Sequence, residues 1–330
     1  MIPVYDEPAQ VAETIASVRR ALSKAPRLLP AEIVVADDGS TVDIAGPAIA
    51  AAGADLPTRV VRLEANSGRF AAREHGLGAA QGEYVLFVDA GVTVEAGSLE
   101  FVASRLEDGR RVWNAHTIHD TGGTPTALFW NVVSSMAFGA YVDDPRETSF
   151  GIDDFDRFPK GTTCFLAPRA LLSEAFAAFE SAYADTRNAN DDGPIIRYVA
   201  GRERVNIAPG FSCVYRPRRT VRSFVKHALH RGVVFVDGHG RRESRFFPIT
   251  VAFFPISLGI AVAAARRPLV VPATAAVATA AAAGVAASLK RRPVAEVASF
   301  AALAPVYALA HGLGMWRGLA LAVSARARRR

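Results

Sequence analysis

The chain has 330 residues, half of them apolar, with 38 Lys and Arg against 32 Asp and Glu and a net charge of +6. That length holds one large domain or two, and two cysteines, Cys164 and Cys213, are too few for a disulfide framework. The charge is uneven: residues 241–330 carry 13 Lys/Arg against Glu243 and Glu296, a net of +11, which leaves −5 for residues 1–240. The basic character belongs to the C-terminal part, beside apolar segments, as membrane-facing clusters do. A nucleic-acid-binding reading of the whole chain thereby loses its main support, and no nucleic acid is expected as a partner.

In chain order, Ile2 to Tyr5 reads as the end of a strand, closed by Pro3. Val11, Ile15, Val18 and Leu22 at helical spacing after Pro8 predict a helix that ends before Pro26. Ala31 to Gly39 is a second apolar strand ending in Asp37, Asp38 and Gly39, Val42 to Gly53 a short helix, and Thr58 to Leu63 a third strand. Asn66 to Gly82 is helical in tendency with Gly-rich ends. Tyr84 to Val88 is an uninterrupted apolar run, as a strand buried on both faces requires, and Asp89 follows at once. Strands alternating with helices predict a mostly parallel, Rossmann-like sheet covered on both faces. Its carboxyl ends, and so Asp37, Asp38 and Asp89, would line one rim, where such sheets bind ligands.

Four segments then carry a resemblance: Ile2–Glu7 (IPVYDE), Val34–Thr41 (VVADDGST), Asn66–Gly76 (NSGRFAAREHG) and Gly82–Gly91 (GEYVLFVDAG). In this order and spacing they resemble the family-two glycosyltransferases of the GT-A fold, over roughly residues 1–240. The resemblance implies that Asp37 and Asp38 lie against the base and ribose of a nucleotide-diphosphate sugar, with Pro3, Tyr5, Glu7, Asn66, Arg69 and Arg73 as further donor-binding positions. Asp89 would take the position that holds a divalent metal, Mg²⁺ or Mn²⁺. A hard divalent ion takes oxygen ligands, commonly one or two carboxylates plus phosphate oxygens and water, and acts as a Lewis acid on the leaving group. The family usually has a second Asp two positions on, where this chain has Gly91, so the metal is expected to be held loosely. Glu95 is a candidate ligand only by proximity in sequence and reads better as a solvated loop residue. Related enzymes also carry more apolar residues before the first motif. The natural start is therefore expected upstream of Met1, and an extended chain is expected to be more stable, because a truncated strand leaves backbone groups unpaired.

Further along, Arg105 to Thr117 offers another strand, and Thr124 to Tyr141 an apolar, aromatic helix, either core or membrane-surface, with core preferred. Asp143 to Asp156 reads as a solvated acidic loop. Pro159 to Leu171 resembles the family's acceptor-side loop, a Gly-containing turn leading into a helix, with Cys164 packed rather than reactive. Asn188 to Arg197 resembles the motif that supplies the catalytic base. Asp192 aligns with the base and Asp191 with its partner, although Asp-Asp-Gly-Pro alone is also a turn and helix-cap sequence. Val205 to Tyr215 is one more strand region. Pro217 to Gly232 forms a basic helix in which Arg231, beside His227 and His230, is the nearest match to the family's diphosphate-binding Arg. The usual Trp after it is Gly232, so contact with the donor and contact with lipid headgroups both remain open.

Phe246 to Ala265 is uncharged and long enough to span a bilayer, Pro268 to Leu289 is a second uncharged run, and Ala295 to Ala325 a third that contains Glu296, His311 and Arg317. The expected architecture is an α/β GT-A domain at 1–240 followed by an all-α, membrane-associated region at 241–330 with two to three apolar helices. The expected chemistry is inverting transfer of a sugar to a hydroxyl or phosphate of a lipid-linked or cell-envelope glycan acceptor. The enzyme would sit in the cell membrane, multi-pass and in contact with its lipids, with the catalytic domain on the cytoplasmic face. The alternative is a catalytically weak nucleotide-sugar-binding or scaffold subunit of a membrane glycan-assembly complex; Gly91 and Gly232 favour it, and Asp89, Asp191 and Asp192 oppose it.

Overall fold

The structure is a computed structural model and describes residues 1–217, 219–242 and 244–329. The strands are β1 (Ile2–Val4), β2 (Ile33–Asp37), β3 (Thr58–Arg62), β4 (Tyr84–Val88), β5 (Thr93–Val94), β6 (Trp113–Asn114), β7 (His116–His119), β8 (Thr148–Phe150), β9 (Cys164–Pro168), β10 (Val205–Ile207) and β11 (Ser212–Tyr215). The helices are α1 (Pro8–Leu22), α2 (Ala45–Ala52), α3 (Arg69–Ala79), α4 (Ser98–Glu107), α5 (Pro125–Val142), α6 (Arg169–Ala177), α7 (Asp192–Ala200), α8 (Val221–His239), α9 (Phe247–Arg266), α10 (Val270–Leu289) and α11 (Val294–Arg329). They form two compact units: residues 1–120, 138–180 and 191–216 in the first, and 121–137, 181–190 and 217–330 in the second.

In the first unit β1, β2 and β3 pair in parallel. Met1 extends this sheet to β4: its amine donates to Leu86 O at 2.8 Å, and its carbonyl accepts from Val88 N at 3.0 Å. This is the bonding of a parallel pair. Beyond β4 the order is β9, β6, β10, β8, with β9 and β8 antiparallel to their neighbours and β6 parallel to β10. The sheet is thus mostly parallel, as the alternating pattern predicts. Val4 lies opposite Asp37, so the acidic residues that follow β1, β2 and β4 do share one rim. The antiparallel β9 delivers its amino-terminal end to that rim, since Val88 pairs with Cys164 and Asp89 N donates to Thr163 O at 2.9 Å. Apolar helix faces cover the sheet: Val11, Ile15 and Val18 of α1 on one core cluster, Phe70 and Leu77 of α3 with Ile195, Ile196 and Val199 of α7 on another. Cys164 and Cys213 are both buried and free, and the neighbouring Cys213 together with burial pushes the Cys164 thiol up.

One expectation needs correction. Arg105 to Glu107 close α4 rather than open a strand, because Leu99, Val102 and Ala103 recur at helical spacing and bury on one side. The extended segment starts at Trp113 and divides into β6 and β7, which join different sheets. The apolar stretch after Thr124 is a helix with a buried face, as preferred: Ala127, Phe129, Val132 and Tyr141 are buried. α5 is interrupted at Phe138 (φ −136°, ψ 27°), and its first part belongs to the second unit. There Phe129 packs against Phe224, Phe300 and Tyr307 at centroid distances of 5.0, 5.0 and 5.2 Å.

In the second unit α9, α10 and α11 are long and apolar enough to cross a membrane. α8 and α11 approach at backbone distance. A Cβ on Gly232 would run into the His311 carbonyl oxygen and lie 2.9 Å from Gly314 Cα, so the Trp common in the family has no room here. Glu296, in the first turn of α11, is buried and accepts from Arg292 and from Asn131 of α5, each at 2.7 Å.

Candidate active site

At the rim of the first unit the side chains converge on a cation. Arg73 stands one turn into α3 and is fully buried. One terminal nitrogen donates to Asp89 Oδ1 at 2.7 Å, the other to Asp191 Oδ2 at 2.5 Å and Asp192 Oδ1 at 3.2 Å. Three carboxylates from two distant parts of the chain therefore share one guanidinium, whose fork of donors suits several acceptors at once. Arg69, four residues earlier on the same helix face, reaches 3.9 Å from Asp191 Oδ1 and is half exposed. Counting Arg69, Arg73 and the three carboxylates, the cluster carries one net negative charge.

The local sequence explains the placement. Asp89 sits where β4 runs out, with a side chain 26% exposed. Asp191 immediately precedes α7, without a side-chain capping hydrogen bond, and Asp192 begins it, at the end of a helix that favours negative charge. Pro194 near the start fixes a backbone already suited to a first helical turn. Asp191 is buried, Asp192 is 30% exposed, and the Thr162 hydroxyl donates to Asp192 Oδ1. The two carboxyls are driven apart. Burial raises the pKa of Asp191, and Arg73 only partly offsets this. For Asp192 burial acts in the same direction, but Arg73 and Arg69, with the Thr162 hydrogen bond, outweigh it and lower the value. At neutral pH Asp192 is therefore an ionised carboxylate with an accessible edge. Among the described residues Asp191 Oδ1 and Arg73 Nε are buried without a hydrogen-bond partner.

Of the positions implied by the resemblance, Asp89, Asp191, Asp192, Arg69 and Arg73 are brought together. Arg73 differs from expectation: enclosed by carboxylates, it organises the acidic residues and offers no open face to a donor. Asp37 and Asp38 are also buried, and they brace loops. Asp37 accepts from Ser40 N at 2.8 Å and Arg62 at 3.0 Å, and Asp38 from Ser67 N at 2.7 Å and Gly68 N at 2.9 Å. Pro3 lies in β1 opposite Ala36, Tyr5 is exposed, Glu7 immediately precedes α1, and Asn66 is half-buried in the loop before α3. Arg231 belongs to the second unit, exposed, with its guanidinium 5.1 Å from the Trp130 ring centroid. Glu95 is an exposed loop residue.

Sequence reasoning passed over Thr162 and Asp6. Thr162 lies inside the Pro159–Leu171 stretch, where only the antiparallel pairing of β9 reveals that it faces the rim. Asp6 takes a left-handed backbone (φ 54°) and accepts from Thr41 N at 2.6 Å, which holds its carboxyl below the usual range. Gly91 takes φ +83° and donates to Thr14 Oγ1 at 3.0 Å. A side chain in that conformation costs about 1–2 kcal/mol for most residues, with Asp and Asn the best tolerated.

A mostly parallel sheet thus gathers acidic residues from β4 and α7 around a buried arginine at one rim. Residues 1–171, over half of the chain, match the family described as Glycosyl transferase family 2, and the chain belongs to that family. Among characterised proteins it is similar to polypeptide N-acetylgalactosaminyltransferase 13 of Homo sapiens and of Rattus norvegicus, each 27% identical over 97 residues. The match covers 29% of this chain, and the chain spans 17% of the length of those relatives. Among solved structures it is similar to S. aureus TarS 1-349 in complex with UDP-GlcNAc, at 16% identity and a TM-score of 0.49, over 93% of this chain and 90% of that one. A mycobacterial protein matches at 19% identity and a TM-score of 0.43, over 74% of each chain.

Proposed function

We propose that the chain transfers a sugar from a nucleotide-diphosphate donor to a hydroxyl or phosphate of a lipid-linked or cell-envelope glycan, with inversion at the anomeric carbon. The observation that carries this reading is the meeting of Asp89, Asp191 and Asp192 on Arg73. The acceptor oxygen attacks the anomeric carbon, the bond from that carbon to the diphosphate breaks, and the acceptor proton passes to Asp192 Oδ. A base must have an ionised, reachable carboxylate, which describes Asp192 and not the buried Asp191. Asp191 fixes Arg73, and Arg73 fixes Asp192. Pro3, Tyr5, Glu7, Asn66 and Arg69 form the donor side, with Asp37 and Asp38 holding its loops, and Arg231 of α8 contributes charge for the diphosphate.

Among the described residues no group of three or more His, Cys, Asp or Glu side chains comes together to hold a metal ion by itself. A hard divalent ion shared with a diphosphate needs only one or two protein carboxylates, and the partly exposed Asp89 meets that need. Mg²⁺ or Mn²⁺ bound there would offset the charge of the departing nucleotide. The expected result is that Asp89→Ala weakens nucleotide-sugar binding only when divalent metal is present. Thermal-shift titration of the detergent-solubilised chain with nucleoside diphosphates, with and without Mg²⁺ or Mn²⁺, reads this directly, because ligands of the folded state raise its melting temperature. Indifference of the parent protein to chelator would remove the metal from Asp89. Turnover across a panel of nucleotide sugars tests the activity itself.

The apolar helices support membrane association, with residues 241–330 supplying the anchor. α9 and α10 have 6% of their most apolar stretch buried within the protein, against 28% for α11, which packs along α8. We therefore assign full crossings to α9 and α10 and an interfacial course to α11. Arg241, Arg242, Lys290 to Arg292 and the C-terminal arginines then all lie on the cytoplasmic side with the catalytic domain. A cysteine added after Arg330 should resist an impermeant thiol reagent in intact cells. Labelling without permeabilisation would make α11 a third crossing.

A further inference from the structure

The loop of residues 181–190, in the second unit, runs by a single peptide bond into Asp191. Both of its ends are held by one carboxylate. Asp237, in the last third of α8 and 3% exposed, accepts through Oδ1 from the Ser181 hydroxyl at 3.0 Å and from Ala182 N at 2.6 Å. Through Oδ2 it accepts from Asn190 N at 2.7 Å. An acidic side chain buried so completely is expensive unless its oxygens are satisfied, and here all three donors come from the loop. Packing reinforces the attachment. Gly238 has no room for a side chain because its Cβ would strike the Asn190 amide. The Tyr183 hydroxyl, buried within the loop, donates to Val233 O at 2.5 Å. Gly318 of α11 closes the far side, where a Cβ would stand 2.7 Å from that hydroxyl and 3.0 Å from Val233 O. Loop, α8 and α11 thus meet at three points, two of which only glycine permits.

Resting on the reading of Asp192 as the base, we propose that Asp237 is a positioning residue for transfer: it fixes the end of the loop from which Asp191 and Asp192 emerge. It touches no reacting atom. Its consequence is that the segment joined covalently to Asp191 is anchored on α8, so that loss of this anchor frees the chain just before the base.

The test uses the detergent-solubilised full chain and nucleotide release from whichever nucleotide sugar gives turnover. Asp237→Ala should lower kcat about 10- to 100-fold, the cost of a small misplacement of a catalytic group, with donor KM little changed. Asp237→Asn, which turns a donor toward one of the two loop ends and keeps the other bonded, should fall between parent and Ala. The acidic limb of the kcat profile should move to higher pH in both. A displaced Asp192 leaves Arg73, Arg69 and Thr162, the groups that hold its proton affinity down against burial, with Asp191 and Asp89 as the other carboxylates on the same Arg73. Amide exchange at Ala182 and Asn190 should quicken. Should Asp237→Ala fail to fold, Asp237→Asn and Tyr183→Phe carry the same readouts. The proposal is overturned if Asp237→Ala keeps parental kcat and pH profile while Asp192→Asn is inactive, or if exchange at the two loop ends is unchanged. A fully active Asp192→Asn would overturn the base assignment first, and the positioning of that base with it.

Discussion

Asp192→Asn is expected to reduce transfer about 10²–10⁴-fold while leaving affinity for the nucleotide sugar within a factor of about two. The substitution keeps the size and shape of the side chain and an oxygen that can still accept from Thr162. It removes the capacity to take up a proton, together with the negative charge that Arg73 and Arg69 face. On the proposed reading donor binding belongs to residues on and after β1, on the loops after β2 and β3, and at Asp89, and of these only Arg69 faces the charge on Asp192. The fold should also survive, since Arg73 keeps Asp89 and Asp191 as partners. A loss in kcat with an unchanged donor KM is the signature of an interaction used in the transition state alone. Initial rates of nucleotide release with saturating acceptor check it. Activity within a factor of a few of the parent would take Asp192 out of the mechanism. If the parent itself turned over no faster than this variant, the reading as a catalytically weak, nucleotide-sugar-binding subunit would stand instead.

Much of this site could be read from the sequence because its parts sit at places that local chemistry marks. The apolar run of β4 and the sudden Asp89 identify a buried strand end without reference to anything distant. The alternation of strands and helices then predicts that Asp37, Asp38 and Asp89 share a rim, which the parallel registers bear out. What the sequence could not disclose depends on contacts across long separations. Arg73 lies 118 residues from Asp191, and nothing in NSGRFAAREHG states whether its guanidinium faces a ligand or the interior. The antiparallel course of β9, which carries Thr162 to the rim, has no period of its own in so short an apolar run. The first part of α5 is apolar on nearly every side, so composition could not say which core it would join. Gly232 looked like a damaged motif; against Gly314 it is a requirement of helix crossing. Asp237, one acidic residue in a basic helix, reads as a solvated charge until the loop is folded around it.

Arg73→Ala is expected to have the largest effect on stability. It leaves Asp89, Asp191 and Asp192 without their common cation, and Arg69, at 3.9 Å from Asp191 and half exposed, is a poor substitute. Breaking a buried ion pair by deleting one partner costs about 3–5 kcal/mol, on the order of ten degrees in melting temperature for a unit of this size. The loss should depend on pH in a defined direction. Burial holds the Asp191 pKa above its ordinary value. That group therefore favours the fold most below the unfolded carboxylate pKa, and its contribution disappears as pH rises through the raised folded value. Asp192, held low by the two arginines against burial, does the reverse: it contributes above the unfolded pKa, and this is lost as pH falls through the lowered folded value. Without Arg73 burial governs both, both values rise, and the charged forms become costly together. The melting-temperature deficit of Arg73→Ala against the parent should therefore be greatest near neutral pH and shrink on acidification toward about pH 5. Arg73→Lys, a point charge that cannot span three acceptors as the guanidinium fork does, should recover part of the stability and little of the activity. Thermal unfolding of the three proteins across that pH range measures this, and a deficit constant with pH would mean that Asp191 and Asp192 do not depend on Arg73 for their charge.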